Sequence, residues 1–266
     1  MSFIEIDGVD LVYKGSGATR GNGGTLALAG AELRIEKGEF ASIVGPSGCG
    51  KSTLVKLISG LVQPSRGAVR AAGKAVTRPL KEVGVAFQNP SLLPWRNIRD
   101  NVLLPLEIVE PHRGRFRRER AANRDRVERL LASVGLGEFG GRMPWQLSGG
   151  MQQRAQLCRA LIHEPAILLL DEPFASLDTF TREELWDVLQ ALWTERKCTV
   201  ILVTHELREA VYLSDTVHVM SARPGRVVAS RKISLPRPRA LAATFRSEFV
   251  DLVHELRDHV GRSKAA

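Results

Sequence analysis

The chain has 266 residues, 44% of them hydrophobic and 25% charged, which is enough to bury a sizeable core in one domain with a subdomain or tail. Its formal net charge of +9 permits an anionic partner, but the Arg-rich stretch 112–129 holds one aromatic residue, Phe116, too few for a surface that stacks single-stranded bases. Three cysteines without paired spacing argue against a disulfide framework or a zinc site. The first residues lack a signal-peptide pattern and no apolar run is as long as a membrane span, so we expect a soluble protein in a reducing compartment.

Taken in chain order, the hydrophobic pattern predicts a β-rich N-terminal third followed by alternating helices and strands. In the first third we expect a strand at 3–13, a loop at 14–24, a strand at 26–35 and a buried strand at 40–44. A Gly-rich loop follows at 45–50, then a helix at 52–61 and strands at 69–76 and 83–87. Helices follow at 98–109, 124–134 and 147–163, a strand at 166–170, a helix at 183–195, a strand at 199–203, a helix at 206–213 and strands at 217–220 and 227–230. This alternation predicts an α/β fold with a mainly parallel sheet covered on both faces.

The C-terminal segment begins at a break marked by Pro236 and Pro238. Beyond the break, apolar residues recur at helical spacing, namely Phe245, Phe249, Leu252, Val253, Leu256 and Val260. We expect a final helix that packs back on the preceding domain.

A Gly-rich sequence lies between the strand 40–44 and the helix 52–61. It fits the pattern G-x-x-x-x-G-K-[ST] with Gly45, Pro46, Ser47, Gly48, Cys49, Gly50, Lys51 and Ser52, followed by Thr53. Glycines let backbone N–H groups point at phosphate oxygens, and the following helix adds the positive end of its dipole. Lys51 is expected to bind the β- and γ-phosphates and Ser52 to bind Mg²⁺, with Cys49 present as a small side chain rather than a reactive thiol. The motif predicts binding of ATP with Mg²⁺, and its hydrolysis.

Two carboxylates follow the buried strand 166–170. This strand leads directly into Asp171 and Glu172, which places both residues at the sheet edge where α/β folds bind ligands. Asp171 is expected to hold Mg²⁺, and Glu172 to act as the base on the attacking water. A pair of solvated acids at a strand end is the alternative, and the phosphate loop makes it the weaker one.

A second anion cradle is predicted where a Ser-Gly-Gly turn opens the helix 147–163. The sequence Leu147 to Arg154 places Ser148, Gly149 and Gly150 at a helix N-terminus, where N–H groups and the dipole favour an anion. One nucleotide does not need two cradles so far apart in the chain. Two copies packed head-to-tail would use both, each ATP lying between the phosphate loop of one copy and the Ser-Gly-Gly helix of the other.

With these motifs in this order, residues from about Phe3 to Ser230 resemble the ATP-binding-cassette (ABC) family of transporter ATPases. The resemblance implies a P-loop NTPase core with an N-terminal antiparallel β subdomain and a helical signature subdomain. The expected organisation is an ATP-binding domain over 1–235, which contains a helical subdomain at about 89–160, and a helical tail over 236–266.

The resemblance also implies roles for individual residues. Gln88 would contact Mg²⁺ and water and sense the permease, and His205 would contact the γ-phosphate. Ser148, Gly149 and Gly150 would contact the γ-phosphate of the other copy, and Asp178, in the segment Ser176-Leu177-Asp178, would lie at the dimer interface. Tyr13 would stack on adenine, although a core tyrosine is the alternative because the Gly-rich stretch 14–24 can shift the register. A lone histidine at position 205 would more often cap a helix or lie in the core. Met151 departs from the family's usual glutamine and leaves the cradle intact.

Two further segments, Gln88 to Asn97 and Met220 to Gly225, are similar to the importer branch for nitrate, sulfonates and taurine. That similarity implies an ATP-hydrolysing subunit at the cytoplasmic face of the cell membrane, served by permease subunits and an extracytoplasmic solute-binding protein. A small anionic solute is expected, and no nucleic acid. The alternatives are another transporter branch and, more remotely, a nucleic-acid-associated ABC ATPase. Residues 92–95 would dock a permease helix or form subdomain core, and the Arg-rich stretch would lie near membrane headgroups or form a solvated helix.

Overall fold

The computed structural model describes residues 2–13, 24–175 and 177–265. The chain forms two compact units, one from Met1–Leu80 together with Thr199–Ala266 and one from Lys81–Cys198. In the first unit the elements are β1 (Ile4–Tyr13), β2 (Thr25–Ile35), β3 (Phe40–Val44), α1 (Lys51–Ile58), β4 (Arg66–Ala71) and β5 (Lys74–Ala75). In the second unit they are β6 (Val83–Ala86), α2 (Ile98–Ile108), α3 (His112–Arg115), α4 (Arg120–Ser133), α5 (Gly149–Leu161), β7 (Ile167–Asp171) and α6 (Thr179–Arg196). The first unit then resumes with β8 (Thr199–Val203), α7 (Leu207–Leu213), β9 (Thr216–Met220), β10 (Val227–Lys232) and α8 (Ser247–Ala265).

An antiparallel sheet in the order β2-β1-β4-β5 forms the N-terminal part of the first unit. Its inward residues alternate with outward ones, as in β1, where Ile4, Ile6 and Val9 are fully buried. The prediction of one strand over 69–76 is wrong, because β4 and β5 form a hairpin. Ala72 and Gly73 have φ angles of 51° and 74°, which turn the chain in two residues.

Strand β3 lies at the centre of the parallel part of the first unit. It pairs in parallel with β8 on one side and with β9 on the other, and β10 pairs antiparallel with β9. Every residue of β3, β8 and β9 is buried, which explains their continuous apolar runs. The predicted α/β fold with a mainly parallel sheet is confirmed.

The second unit combines one parallel strand pair with a group of helices. Strands β6 and β7 pair in register from Val83 opposite Ile167 to Ala86 opposite Leu170. Helix α2 packs against α4 and α5. Asn97 caps α2, since its side chain accepts a 2.8 Å hydrogen bond from the Asp100 N–H. Helix α4 begins four residues earlier than predicted, and α3 was not predicted, because neither start shows an apolar period.

The C-terminal tail belongs to the first unit, where α8 contacts α7, β9 and β10. Buried Arg239 anchors the approach to this helix, because its Nη1 donates to the carbonyl oxygens of Val211, Tyr212 and Ser214 at 2.8–2.9 Å. Burial lowers the pKa of Arg239 to about 10. Phe249, Leu252 and Leu256 face the core as predicted, but the placement of Phe245 on that face is wrong, because it lies in a 3₁₀ turn before α8 and is 79% exposed.

No helix within the described ranges is both long and apolar enough to cross a bilayer. The boundaries predicted for the helical subdomain remain a prediction, although helices α2 to α5 all lie in the second unit.

Candidate functional site

The phosphate loop joins β3 to α1 in the first unit. Gly48 and Gly50 have φ angles of 74° and 103°, in the left-handed region that favours glycine. Gly50 is the N-cap of α1, and its lack of a side chain leaves the first turn of the helix without a side-chain cap. A Cβ at Gly45 would lie 3.0 Å from the Met220 carbonyl oxygen and 3.1 Å from Cys49 Sγ, so a larger residue would displace its neighbours. The glycines thus shape a helix start that suits an anion.

Lys51 carries its charge inside this loop. Its side chain is 5% exposed, and Nζ donates to the carbonyl oxygens of Gly45 and Pro46, both at 2.9 Å. Ser47 and Ser52 are exposed, whereas Cys49 is buried, with its sulfur 3.9 Å from Lys51 Nζ. The Lys51 ammonium supplies positive charge and N–H donors at the start of α1, so the loop fits a nucleotide phosphate.

Residues 220–226 pack against the phosphate loop, a role that the sequence did not predict. A Cβ at Gly225 would lie 1.9 Å from the Cys49 carbonyl oxygen, so the two backbones touch. Gly225 N–H donates to Ala27 O at 2.9 Å, and its carbonyl accepts from Ala29 N–H at 3.2 Å. Arg223 Nε donates to Gly48 O at 3.3 Å. The Arg-Pro-Gly sequence was the available signal, but only the fold brings it to the loop.

Tyr13 lies beside the phosphate loop. It is the last residue of β1, it is 37% exposed, and its hydroxyl lies 3.3 Å from Thr53 Oγ1 at a hydrogen-bonding distance. This position excludes a core tyrosine. The Gly-rich stretch 14–23 that follows lies outside the described residues.

His205 lies at the same end of the sheet as the phosphate loop. The Thr204 N–H donates to Ile43 O at 3.2 Å, and β3 and β8 are parallel, so the chain after both strands emerges at one edge. His205 is exposed, and the cap of α7 is Glu206, whose side chain accepts from the Arg208 N–H. His205 is therefore neither a core residue nor a helix cap.

In the second unit, Asp171 ends β7, Glu172 follows it, and Gln88 lies two residues beyond β6, which is parallel to β7. Two glutamines of α5, a feature that sequence reasoning missed, hold the chain there, because Gln153 Nε2 donates to Gln88 O at 2.7 Å and Gln156 Nε2 donates to Phe87 O at 2.9 Å. The Gln88 side chain is exposed, and both carboxylates are half-buried.

Glu172 adopts an unusual backbone conformation. Its φ angle is 47°, in a region that residues with a Cβ rarely adopt. Such conformations persist only where the surroundings enforce them, and they recur at functional sites.

The Ser-Gly-Gly turn opens α5 as predicted. Ser148 is the N-cap, and its hydroxyl accepts from the Met151 N–H at 3.3 Å. Ser148 and Gly149 are exposed. Gly150 is buried, and a Cβ there would lie 2.8 Å from Thr181 Cγ2 in α6.

That contact brings the N-termini of α5 and α6 together. Asp178 is the exposed N-cap of α6, and its carboxylate accepts from the Thr181 N–H at 3.0 Å. This hydrogen bond is the main reason that the pKa of Asp178 lies below its usual value. Ser176 lies outside the described residues. Two helix starts therefore face solvent side by side, next to the exposed Phe180.

Each unit carries side-chain oxygens of the kind that suits Mg²⁺ in a nucleotide site. Across the part of the chain that the structure describes, no group of three or more His, Cys, Asp and Glu side chains could hold a metal ion alone. Mg²⁺ in nucleotide sites usually takes one or two protein oxygens, with phosphate oxygens and water completing its octahedron. The Ser52 hydroxyl, the Gln88 amide oxygen and the Asp171 carboxylate are oxygens of that kind.

Comparison with known proteins identifies the family. Residues 28–175 match the family model described as ABC transporter. An aliphatic sulfonates import ATP-binding protein of Bacillus licheniformis is 41% identical over 83% of each chain, and a bicarbonate transport ATP-binding protein of Synechococcus elongatus is 39% identical over 89% of this chain and 82% of its own. A solved dimeric ATP-binding cassette, in a post-hydrolysis state with ADP and phosphate, superposes with a TM-score of 0.73 at 30% identity over 88% of this chain and all of its own. The chain therefore belongs to the ABC transporter family, and it is one of the family's ATP-hydrolysing cassettes.

Proposed function

We propose that the chain is the ATP-hydrolysing subunit of an importer for a small anionic solute. The observation that carries this proposal is the similarity, over more than four fifths of the chain, to proteins named for import of aliphatic sulfonates and transport of bicarbonate. Both named solutes are small anions. The subunit would lie at the cytoplasmic face of the cell membrane, with separate permease subunits and an extracytoplasmic solute-binding protein.

The phosphate loop and the two carboxylates, Asp171 and Glu172, would have different roles in ATP hydrolysis. Lys51 would bind the β- and γ-phosphates and stabilise the charge that develops on the transferred group. Glu172 would accept a proton from the attacking water, and His205 would contact the γ-phosphate. Mg²⁺, held by Ser52, Asp171 and Gln88, would neutralise phosphate charge. Tyr13 would stack on adenine, a contact worth about 1–3 kcal/mol for bases on aromatic rings.

A head-to-tail dimer would complete each site. Ser148 and Gly149 form an exposed helix start, and exposed Phe180, 82% accessible, lies beside the cap residue Asp178. We infer that this surface binds the γ-phosphate held by the phosphate loop of a second copy, with Gly150 allowing the close approach of α6. Binding of ATP would close the dimer and hydrolysis would open it, which would drive the permease between its two states.

The variant Glu172→Gln tests this assignment. It should bind ATP normally but hydrolyse it at least about 100-fold more slowly, because general-base catalysis is commonly worth 10²–10⁴-fold. It should also accumulate as a dimer in ATP, measured by light scattering during size exclusion. Glu138→Gln, an exposed carboxylate of the same unit, is the matched control and should behave as wild type. Normal turnover in the Glu172 variant would refute its role as the base.

Solute identity is tested by transport. Deleting the gene should abolish uptake of the labelled anion, and wild-type protein but not Glu172→Gln should restore it. Sulfonate and bicarbonate are the two anions to assay first. Uptake that survives the deletion for every small anion would refute the importer assignment.

A further inference from the structure

In the second unit, α2, α4 and the residues between α3 and α4 line a basic cleft, called the arginine cleft below. Its volume is about 610 Å³. The lining side chains that carry charge are Arg99, Asp100, Glu107, Arg117, Arg120 and Arg124. Leu103 and Phe116 supply its apolar wall. None of these residues belongs to the nucleotide-binding motifs, so the cassette chemistry does not account for the cleft.

Positive charge in this arginine cleft exceeds the negative charge that faces it. Arg99 pairs with Glu128, and Glu107 pairs with Arg96 at 2.9 Å, so those charges are matched. Arg117, Arg120 and Arg124 are exposed and form no ion pair with any described residue. Asp100 is the one lining carboxylate of the described chain that has no ion pair. Three exposed guanidinium groups and one unpaired carboxylate therefore line the cleft, which leaves it with a net positive charge that would attract an anion.

The basic surface continues beyond the arginine cleft. Arg113, Arg115, Arg118 and Arg129, on and around α3 and α4, are also exposed, and among the described residues only Arg118 of these four pairs with a carboxylate, at 3.9 Å. Two large apolar side chains, Trp95 and Ile108, are 71% and 62% exposed, and each is next in sequence to one member of the Arg96–Glu107 ion pair, of which Glu107 lines the cleft. A small soluble anion would contact the cleft alone, and the exposed arginines outside the cleft would have no ligand.

We propose that this basic face binds anionic phospholipid headgroups, with the phosphate diester of one lipid in the arginine cleft. Guanidinium groups bind phosphate oxygens in pairs of hydrogen bonds, and the negative surface potential of an anionic bilayer attracts clustered arginines. Exposed tryptophan and isoleucine beside the charges suit the interfacial region of a membrane. Single-stranded nucleic acid fits less well, because the stretch offers one half-buried aromatic, Phe116, for stacking. The inference goes beyond the proposed function, since it requires no permease.

Binding of the purified full chain to lipid vesicles tests the proposal. Vesicles containing phosphatidylglycerol should retain the protein at low salt, and pure phosphatidylcholine vesicles should not. The triple variant Arg117→Gln, Arg120→Gln, Arg124→Gln should bind at least about tenfold more weakly. The matched control, Arg246→Gln, Arg257→Gln, Arg262→Gln, removes the same charge from exposed arginines of the C-terminal segment that pair with no described carboxylate, and it should retain wild-type affinity. ATPase activity of the isolated protein should be unchanged in both triple variants, which shows that they fold.

Other outcomes would overturn the proposal. Equal loss in both triple variants would mean that net charge alone drives binding. Binding of inorganic phosphate in the cleft at matched ionic strength, without binding to vesicles, would replace the lipid with a soluble anion. Tighter binding of an RNA oligomer that the first triple variant loses would make nucleic acid the ligand. If the protein does not bind vesicles but solute uptake is normal, this inference is wrong and the importer assignment stands. If the protein binds vesicles but deletion of the gene leaves solute uptake unchanged, the importer assignment is wrong and this inference stands.

Discussion

At the scale of single residues, two lysines on one helix differ in their surroundings, and we expect different roles for them. Lys51 and Lys56 both belong to α1. Lys51 is buried, with Nζ held by the carbonyl oxygens of Gly45 and Pro46, whereas Lys56 is exposed to solvent. The sequence motif predicts Lys51 as the lysine of the phosphate loop, and the hydrogen bonds to Gly45 and Pro46 place it there. Its binding of phosphate stays a prediction.

Lys51→Ala should weaken ATP binding by at least about tenfold, since one hydrogen bond from a charged donor is worth about 1.5–3 kcal/mol. Lys56→Ala removes the same charge from the same helix and should change the affinity little. Equilibrium titration with a fluorescent ATP analogue measures both. Equal affinities in the two variants would contradict the position of the phosphates at Lys51.

His218 shows what a residue pattern does not reveal. It lies in β9 and is 5% exposed, and Ser230 Oγ lies 2.8 Å from its Nδ1. Its Nε2 is buried without a hydrogen-bond partner among the described residues. Burial lowers the pKa of His218 to about 4. A histidine inside a buried strand has no distinctive spacing, so its surroundings become known only from the packed sheet.

The lowered pKa predicts acid sensitivity. His218 stays neutral in the folded protein but takes a proton in the unfolded chain below its ordinary pKa of about 6.5, so its contribution to stability is present above that pH and is lost as the pH falls to about 4. The loss is on the order of 3 kcal/mol. His218→Leu should lose less stability over that interval, as measured by urea unfolding at stepped pH. Parallel curves for the two proteins would contradict the burial argument.

At the scale of elements, periodic segments were predicted and irregular ones were not. Strand β3 and the helix after it stand out because a continuous apolar run gives way to a glycine loop and then to helical spacing. Helix α3 was not predicted, since the segment His112 to Arg115 has no apolar period and ends in a charged residue. The β4–β5 hairpin was missed because its turn depends on a left-handed alanine, Ala72, which is uncommon in that conformation.

The contact between Gly225 and the phosphate loop predicts a long-range effect within the first unit. Gly225→Ala would place a methyl group 1.9 Å from the Cys49 carbonyl oxygen, so the loop must shift. Overpacking of this kind typically costs about 1–3 kcal/mol, and we expect a lower melting temperature together with weaker ATP binding. Gly261→Ala in α8, where a Cβ meets nothing within 4 Å, should instead stabilise the protein slightly, by about 0.5–1 kcal/mol. An unchanged ATP affinity in Gly225→Ala would show that the loop tolerates the shift.

At the scale of the whole molecule, the class of fold followed from the sequence and the grouping of its parts did not. Alternating strands and helices require a covered parallel sheet, and β3, β8 and β9 provide one. The assignment of Thr199–Ala266 to the same unit as the N-terminus depends on strand pairing across a long interval, which local pattern does not encode. Likewise, the convergence of the α5 and α6 helix starts depends on the packing of Gly150 against Thr181.

The position of β3 has a consequence for biosynthesis. This strand, fully buried in the finished protein, bonds only to β8 and β9 among the described strands, and Thr199 lies more than 150 residues after Val44. At a ribosomal rate of about 5–20 residues per second, the nascent strand would wait roughly 8–30 s for its neighbours. The β2-β1-β4-β5 sheet, by contrast, is complete once residue 75 has left the exit tunnel. During translation, β3, which leads into the phosphate loop, therefore stays exposed as an unpaired apolar segment. We expect a chaperone to protect this segment most.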